Sequence, residues 1–200
     1  MWYDTTLGAH YNYNSTEAQA NAWEVYNYFR GLTNPWAVES IAALCGNMSV
    51  ESFFNPYIRE TTQTGAFGLC QWITNKSTMI NWANNRGLRP TSGAAQVQYI
   101  EAERIGGVDD QYLARGDYST VSFSDFAYNT ENRTVSDLAR CWWNNYERSA
   151  EYQTSRGTRA VYYYNMFGET PPTPGTFPIW LIPILKRKWY KPGGRKYITT

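Results

Sequence analysis

Apolar positions recur at helical spacing along most of the first 168 residues, and the breaks between the runs carry helix-ending residues. Ser15 is a suitable N-cap for a helix over Thr16 to about Arg30, with Ala22, Tyr26 and Phe29 or Arg30 in register and Gly31 closing it. Asn34-Pro35 predicts a restart with Pro in the first turn. Val38, Ile41, Cys45 and Met48 then mark a buried face, Gly46 offers a close approach to a neighbour, and Asn55-Pro56 ends the run just past Glu51. Residues 57–70, with Thr61, Thr62, Thr64 and two glycines, read as a small hairpin or extended loop. Further helices are expected from Asn75 or Ser77 through Met79, Trp82 and Ala83, and from Ser92 to Arg104 with Ala94, Val97 and Ile100 or Glu101 on its face. The pattern continues with a short helix at Asp109–Arg115, one in Ser122–Asn129, one from Thr134 through Tyr146, and one from Ser155 to Phe167. Strands are scarce and no repeat period is evident. The chain reads as mainly α, a helical domain with one small hairpin or loop after its second helix.

The same pattern divides the chain. Residues 1–16 form a polar-aromatic arm, 17–168 the helical body, and 169–176 a linker built around Pro171-Pro172-Thr173-Pro174-Gly175. Residues 177–200 form a tail: FPIWLIPIL, too short to span a bilayer, then KRKWYKPGGRK. All acidic residues lie at or before Glu169, so a mildly acidic body carries a basic tail. An apolar plug with a basic end suits a groove on a partner protein, which is favoured, or an interfacial membrane contact, with a strap packed on its own domain as the plainer alternative. The basic residues make no broad phosphate-tracking face, which argues against nucleic acid as the main ligand. The N-terminus lacks the basic and apolar regions of a signal peptide, and no apolar run reaches the length of a membrane-spanning helix.

Composition narrows the chemistry. With one histidine, His10, in the arm, a Ser-His-Asp or Cys-His centre and a His-ligated metal are disfavoured. No cofactor is expected. The cysteines Cys45, Cys70 and Cys141 sit among apolar residues without metal-ligand spacing and read as buried free thiols. The 9 Trp, 17 Tyr and 8 Phe exceed what a core of this size needs, so some rings are expected at a sugar-binding or partner surface. Any catalysis would run on carboxylates.

The stretch Glu51–Trp72, ESFFNPYIRETTQTGAFGLCQW, holds the best candidates. Glu51 stands at the end of the second helix, where Phe53, Phe54 and Trp72 could desolvate it and favour the neutral acid that glycosidic cleavage requires. Glu60 is the nearest candidate for the opposing carboxylate, followed in preference by Asp125, Asp137 and Glu147. Taken alone, a helix-end glutamate is usually solvated, and Glu60 beside Arg59 could be a surface ion pair of little energetic weight.

GNMSVESFFNP followed by TGAFGLCQW resembles the paired motifs of the lysozyme-like superfamily, ES-x-x-NP and GA-x-GL-x-Q, found in lytic transglycosylases and goose-type lysozymes. It is most similar to the phage tail lysozymes, whose aromatic-x-x-FER stretch is matched by Trp143-x-x-Tyr146-Glu147-Arg148. Phe126-Ala127-Tyr128-Asn129 resembles the AYN segment of transglycosylases, although Thr130-Glu131 follow where that pattern has Ala-Gly. The resemblance covers roughly residues 17–168. It implies an α+β lysozyme-like fold, Glu51 as general acid, and a glycan groove lined by Gln71, Trp72, Phe67, Tyr128 and Asn129. It implies a virion-borne muramidase acting on bacterial peptidoglycan during genome delivery, with residues 177–200 holding it to tail structural proteins. A lytic transglycosylase with the same acid, or a non-catalytic plug that binds glycan, are the alternatives.

Overall fold

The structure, a computed structural model, describes residue 2 and residues 10–59 and 65–168. Glu60, the linker and the tail lie outside the described residues. Among the described residues seven α-helices follow in order: α1 (Thr16–Arg30), α2 (Val38–Glu51), α3 (Lys76–Asn84), α4 (Gly93–Arg104), α5 (Phe123–Tyr128), α6 (Val135–Trp142) and α7 (Ser155–Gly168). The body is mainly α, as its periodicity predicts.

The centre of the fold is α2. Every residue from Ser40 to Ser49 is buried, which a helix attains only when neighbours surround it. It packs most extensively on α7 and then on α6, and α6 and α7 also pack on each other. Gly46 sets the α2–α7 distance: a Cβ there would lie 2.5 Å from the Arg156 carbonyl oxygen and 2.7 Å from Ala160 Cβ. Around this trio the aromatics pack edge-to-face and stacked. Phe29 lies on Trp36 with centroids 4.0 Å apart, and Trp142 on Tyr146 at 4.1 Å. Among the described residues most of the Trp, Tyr and Phe rings are buried in the core. Cys45, Cys70 and Cys141 are free and buried.

Caps fix the helix starts much as the sequence predicts. The Ser15, Ser92, Ser122 and Thr134 side chains each accept a backbone N–H of the first turn, and Ser122 and Asp125 complete a capping box. Three expectations are corrected. The second helix begins at Val38, after Pro35, because Trp36 N–H donates to the Phe29 carbonyl (3.3 Å) and Ala37 N–H to that of Ala127 (2.9 Å). Residues 109–115 form no helix: Leu113 N–H donates to Asn145 O (2.9 Å) and Arg115 N–H to Asn145 Oδ1 (3.3 Å), so the strip is spent on a neighbour before a 3₁₀ turn at Gly116–Tyr118. On α4, Ala94 faces solvent and the buried face turns towards Ala95, Gln96, Tyr99 and Glu103.

Candidate active site

The last turn of α2 delivers Glu51. Beyond the C-cap Ser52, Phe53 and Phe54 both adopt left-handed backbone (φ 52° and 56°), a conformation that costs non-glycine residues about 1 kcal/mol each. Asn55 then forms a local turn, its Oδ1 accepting Tyr57 N–H at 2.9 Å. This sharp reversal sends the chain away and leaves the carboxylate at the surface of the α2–α7 seam. The rings expected to desolvate Glu51 have other partners. Phe54 packs on Tyr163, and Phe53 stacks on His10 with centroids 4.1 Å apart. What reaches Glu51 is Arg156 of α7, almost wholly buried, which donates to Glu51 Oε1 through Nη2 and to Asn47 Oδ1 through Nη1 (3.0 Å). Only the missing side chain of Gly46 lets α7 come near enough for that reach.

The loop from Gly65 to Asn75 supplies one wall of a cleft, through Cys70, Gln71, Ile73 and Thr74. Gly65 and Gly68 take φ of 56° and 74°, and a Cβ on Gly68 would meet the Gln96 side chain at 2.7 Å. Buried Gln96 braces the turn, accepting Leu69 N–H on Oε1 (2.8 Å) and donating through Nε2 to Pro56 O (2.7 Å) and Pro90 O (2.9 Å). Antiparallel bridges Arg59–Phe67 and Phe67–Trp72 are the described remnant of the expected hairpin. Gln71, left-handed at φ 46°, donates to the Gly68 carbonyl (2.9 Å). Trp72 is fully buried and its Nε1–H donates to Tyr146 Oη at 2.8 Å.

Another wall comes from α6, which runs on into one π turn over Trp143–Glu147 and ends at Arg148, again left-handed (φ 56°). This extra residue per turn lodges Glu147 beside the cleft. Glu147 Oε1 accepts Trp142 Nε1–H at 2.8 Å. Burial pushes its carboxyl well above the usual carboxylate range, the negative charge of Glu51 pushes the same way, and Arg156 and the Trp142 hydrogen bond oppose only in part. A cleft of about 360 Å³ lies here, lined by Cys70, Gln71, Ile73, Thr74, Gln111, Glu147 and Arg148. Burial raises the Cys70 thiol well above its ordinary range, with Glu147, Glu103 and Glu51 adding to the shift, so it is no nucleophile.

A family description for phage tail lysozymes matches residues 20–167. The chain belongs to the phage tail lysozyme family. Membership makes the domain a lysozyme-like, phage-associated cell-wall hydrolase.

The tail lysozyme cleft sorts the sequence candidates. Gln71 lines it and Glu51 stands close enough to Glu147 for their charges to interact. Phe67 and Trp72 are 1% and 0% exposed and support the loop from beneath, leaving almost no surface for a sugar. Tyr128 lies under the Arg104 guanidinium (5.2 Å), and Asn129 spends its amide on the backbone of Arg133 (2.8 and 3.1 Å); neither lines this cleft. Asp125 is held by Ser122 and Thr130, which lower its carboxyl below the usual range. Asp137 pairs with Arg133 (2.8 Å) and accepts Tyr118 Oη–H (2.9 Å). It borders a larger depression of about 610 Å³ between α6 and α7, where no second carboxylate joins it. Arg156, Gln111 and Glu103 were not singled out by the motifs. Among the described residues no cluster of His, Cys, Asp or Glu could hold a metal ion, and no helix is long and apolar enough to cross a membrane.

Proposed function

We propose that this tail lysozyme is a virion-borne muramidase, cutting the β-1,4 bond between N-acetylmuramic acid and N-acetylglucosamine to open the wall locally for genome delivery. The observation that carries the reading is Glu147, which lines the cleft with the charge of Glu51 within Coulombic reach. Glycosidic cleavage needs one protonated and one ionised carboxyl across the bond. Two interacting acids in unequal surroundings supply that asymmetry. Glu147, half-buried beside the charge of Glu51, keeps its proton where a fully exposed glutamate would have lost it. Glu51 forms an ion pair with Arg156. In the resting enzyme Glu147 is thus the donor to the leaving oxygen, and Glu51 the carboxylate that stabilises the cation-like sugar or activates water. A second carboxylate able to activate water favours hydrolysis over attack by the sugar's own 6-hydroxyl. Residues 177–200, apolar then basic, would hold the enzyme to other tail proteins.

The roles are separable. Family resemblance hands the acid's part to Glu51, whereas the Arg156 ion pair favours Glu147. An aryl glycoside with a good leaving group needs little protonation. It should therefore be cleaved by Glu147→Gln and not by Glu51→Gln; the opposite result returns the acid's role to Glu51. Mass spectrometry of fragments released from purified wall tests the reaction itself. Reducing muramic ends are expected, 1,6-anhydro ends would make the enzyme a transglycosylase, and no fragments from the wild type would leave a glycan-binding plug. Detection of the chain in purified particles tests the virion location.

A further inference from the structure

We infer that Glu103 is a positioning residue, which through Tyr146 clamps together the three segments lining the cleft. Glu103 sits on the buried face of α4, wholly out of solvent, and itself lines no part of the cleft. Its Oε2 accepts Tyr146 Oη–H at 2.5 Å, and the same hydroxyl accepts Trp72 Nε1–H at 2.8 Å. Its Oε1 accepts the backbone N–H of Gln111 at 3.3 Å, while Gln111 Nε2 donates to the Tyr146 carbonyl at 3.0 Å. Each anchored residue is, or directly adjoins, a group that faces the cleft: Gln71 and Ile73 flank Trp72, Gln111 lines the cleft, and Glu147 follows Tyr146. These segments are a loop, an extended strip and a π turn, none of which has a continuous backbone ladder to fix it against the others. One buried carboxyl with one phenol supplies the missing cross-links. A leucine of similar size would pack at that spot with a smaller desolvation cost, so the acid is there for its geometry.

The kinetic arm of the test rests on the hydrolase reading; the exchange arm does not. In Tyr146→Phe the ring stays and only the shared hydroxyl goes, while Glu103→Leu removes the acceptor at similar volume. Both should lower kcat on purified wall about tenfold with KM within about twofold, the scale on which a displaced supporting group acts. Glu103→Gln retains an acceptor oxygen for Tyr146 and should stay within about threefold of wild type, a rescue that loss of packing alone does not give. Hydrogen exchange should accelerate at residues 71–74, 111 and 144–148 in Tyr146→Phe, with α1 and α2 unchanged. Unchanged protection of those segments, or acceleration spread evenly over the whole domain, would overturn the clamp. A wild type that releases no glycan would overturn the hydrolase reading and leave the exchange result to decide the clamp. If Glu103→Leu does not fold, Tyr146→Phe decides alone.

Discussion

Glu147 and Glu103 adjoin the same tyrosine, one as its neighbour in the chain and the other as its hydrogen-bond acceptor, and burial raises both. Glu103 is pushed up to about 8, mainly by burial, with hydrogen bonds from Tyr146 and Asn75 restraining it. The two acids differ in what remains free. Both oxygens of Glu103 are taken by Tyr146 and Gln111. Among the described residues Glu147 accepts one hydrogen bond, from Trp142, and it borders the cleft. On the proposed assignment, a raised pKa does not by itself set Glu147 apart from Glu103. Spare hydrogen-bonding capacity towards an open cavity does, together with the charge of Glu51 within Coulombic reach.

The strongest challenge to that distinction is the matched amide pair. Glu147→Gln should cost about 10²–10⁴ in rate, the range for loss of a general acid, whereas Glu103→Gln should cost no more than about threefold. Turbidity clearing of a wall suspension by both purified variants checks this; comparable losses would erase the contrast. Next in size is a pH effect on stability. Unfolded Glu103 ionises near its ordinary 4.5, while the folded group holds its proton to about 8. Between those values the native state binds more protons, so stability falls as pH rises, by at most about 1.4 kcal/mol per pH unit, and levels off above about 8. Urea unfolding across this window should show the slope in wild type and a shallower one in Glu103→Gln. Equal slopes would mean that the group is ionised in the fold.

A smaller effect tests how Glu51 is held. Gly46→Ala places a methyl 2.5 Å from the Arg156 carbonyl, so α7 must move outward. The cost expected from overpacking is about 1–3 kcal/mol, read as a lower Tm. Activity should fall further than the fraction unfolded accounts for, because the same shift draws Arg156 away from Glu51.

Gly46 also shows how much could be read from the chain. A glycine inside an apolar helical run predicts close approach, and its neighbour is α7. The cap at Ser15, the capping-box-like start at Thr134 and the periodicity after them were equally legible, since they depend on residues within one turn. The strip 109–115 was not, because its backbone groups bond to Asn145 and Glu103, which nothing local announces. Glu51 and Gln71 stood out through the paired motifs. Glu147 ranked last among the carboxylates because a helical register through Tyr146 gives no warning of a π turn. Glu103 did carry a signal: it lies in register with Gln96 and Tyr99, so α4 places an acid on its buried face. That signal emerges only once the face is drawn through Ala95 and not Ala94.

The mildest substitution sets the lower bound of the comparison. Asp125 ranked above Glu147 as a candidate second carboxylate, yet its Oδ2 accepts from Ser122 in the capping box that starts α5, and its Oδ1 from Thr130 just past the helix's end. Its carboxyl lies below the usual range chiefly because of the Ser122 hydrogen bond, so it is ionised at any working pH and has no proton to give. Asp125→Asn keeps an acceptor for the Ser122 backbone and loses the charge at the helix N-terminus, which is worth about 0.3–1 kcal/mol at a surface site. A Tm lower by a few degrees at most, with specific activity equal to wild type, is the expected outcome in thermal unfolding and turbidity assays. Activity lost on the scale of Glu147→Gln would move the second carboxylate to α5 and dissolve the pairing of Glu51 with Glu147.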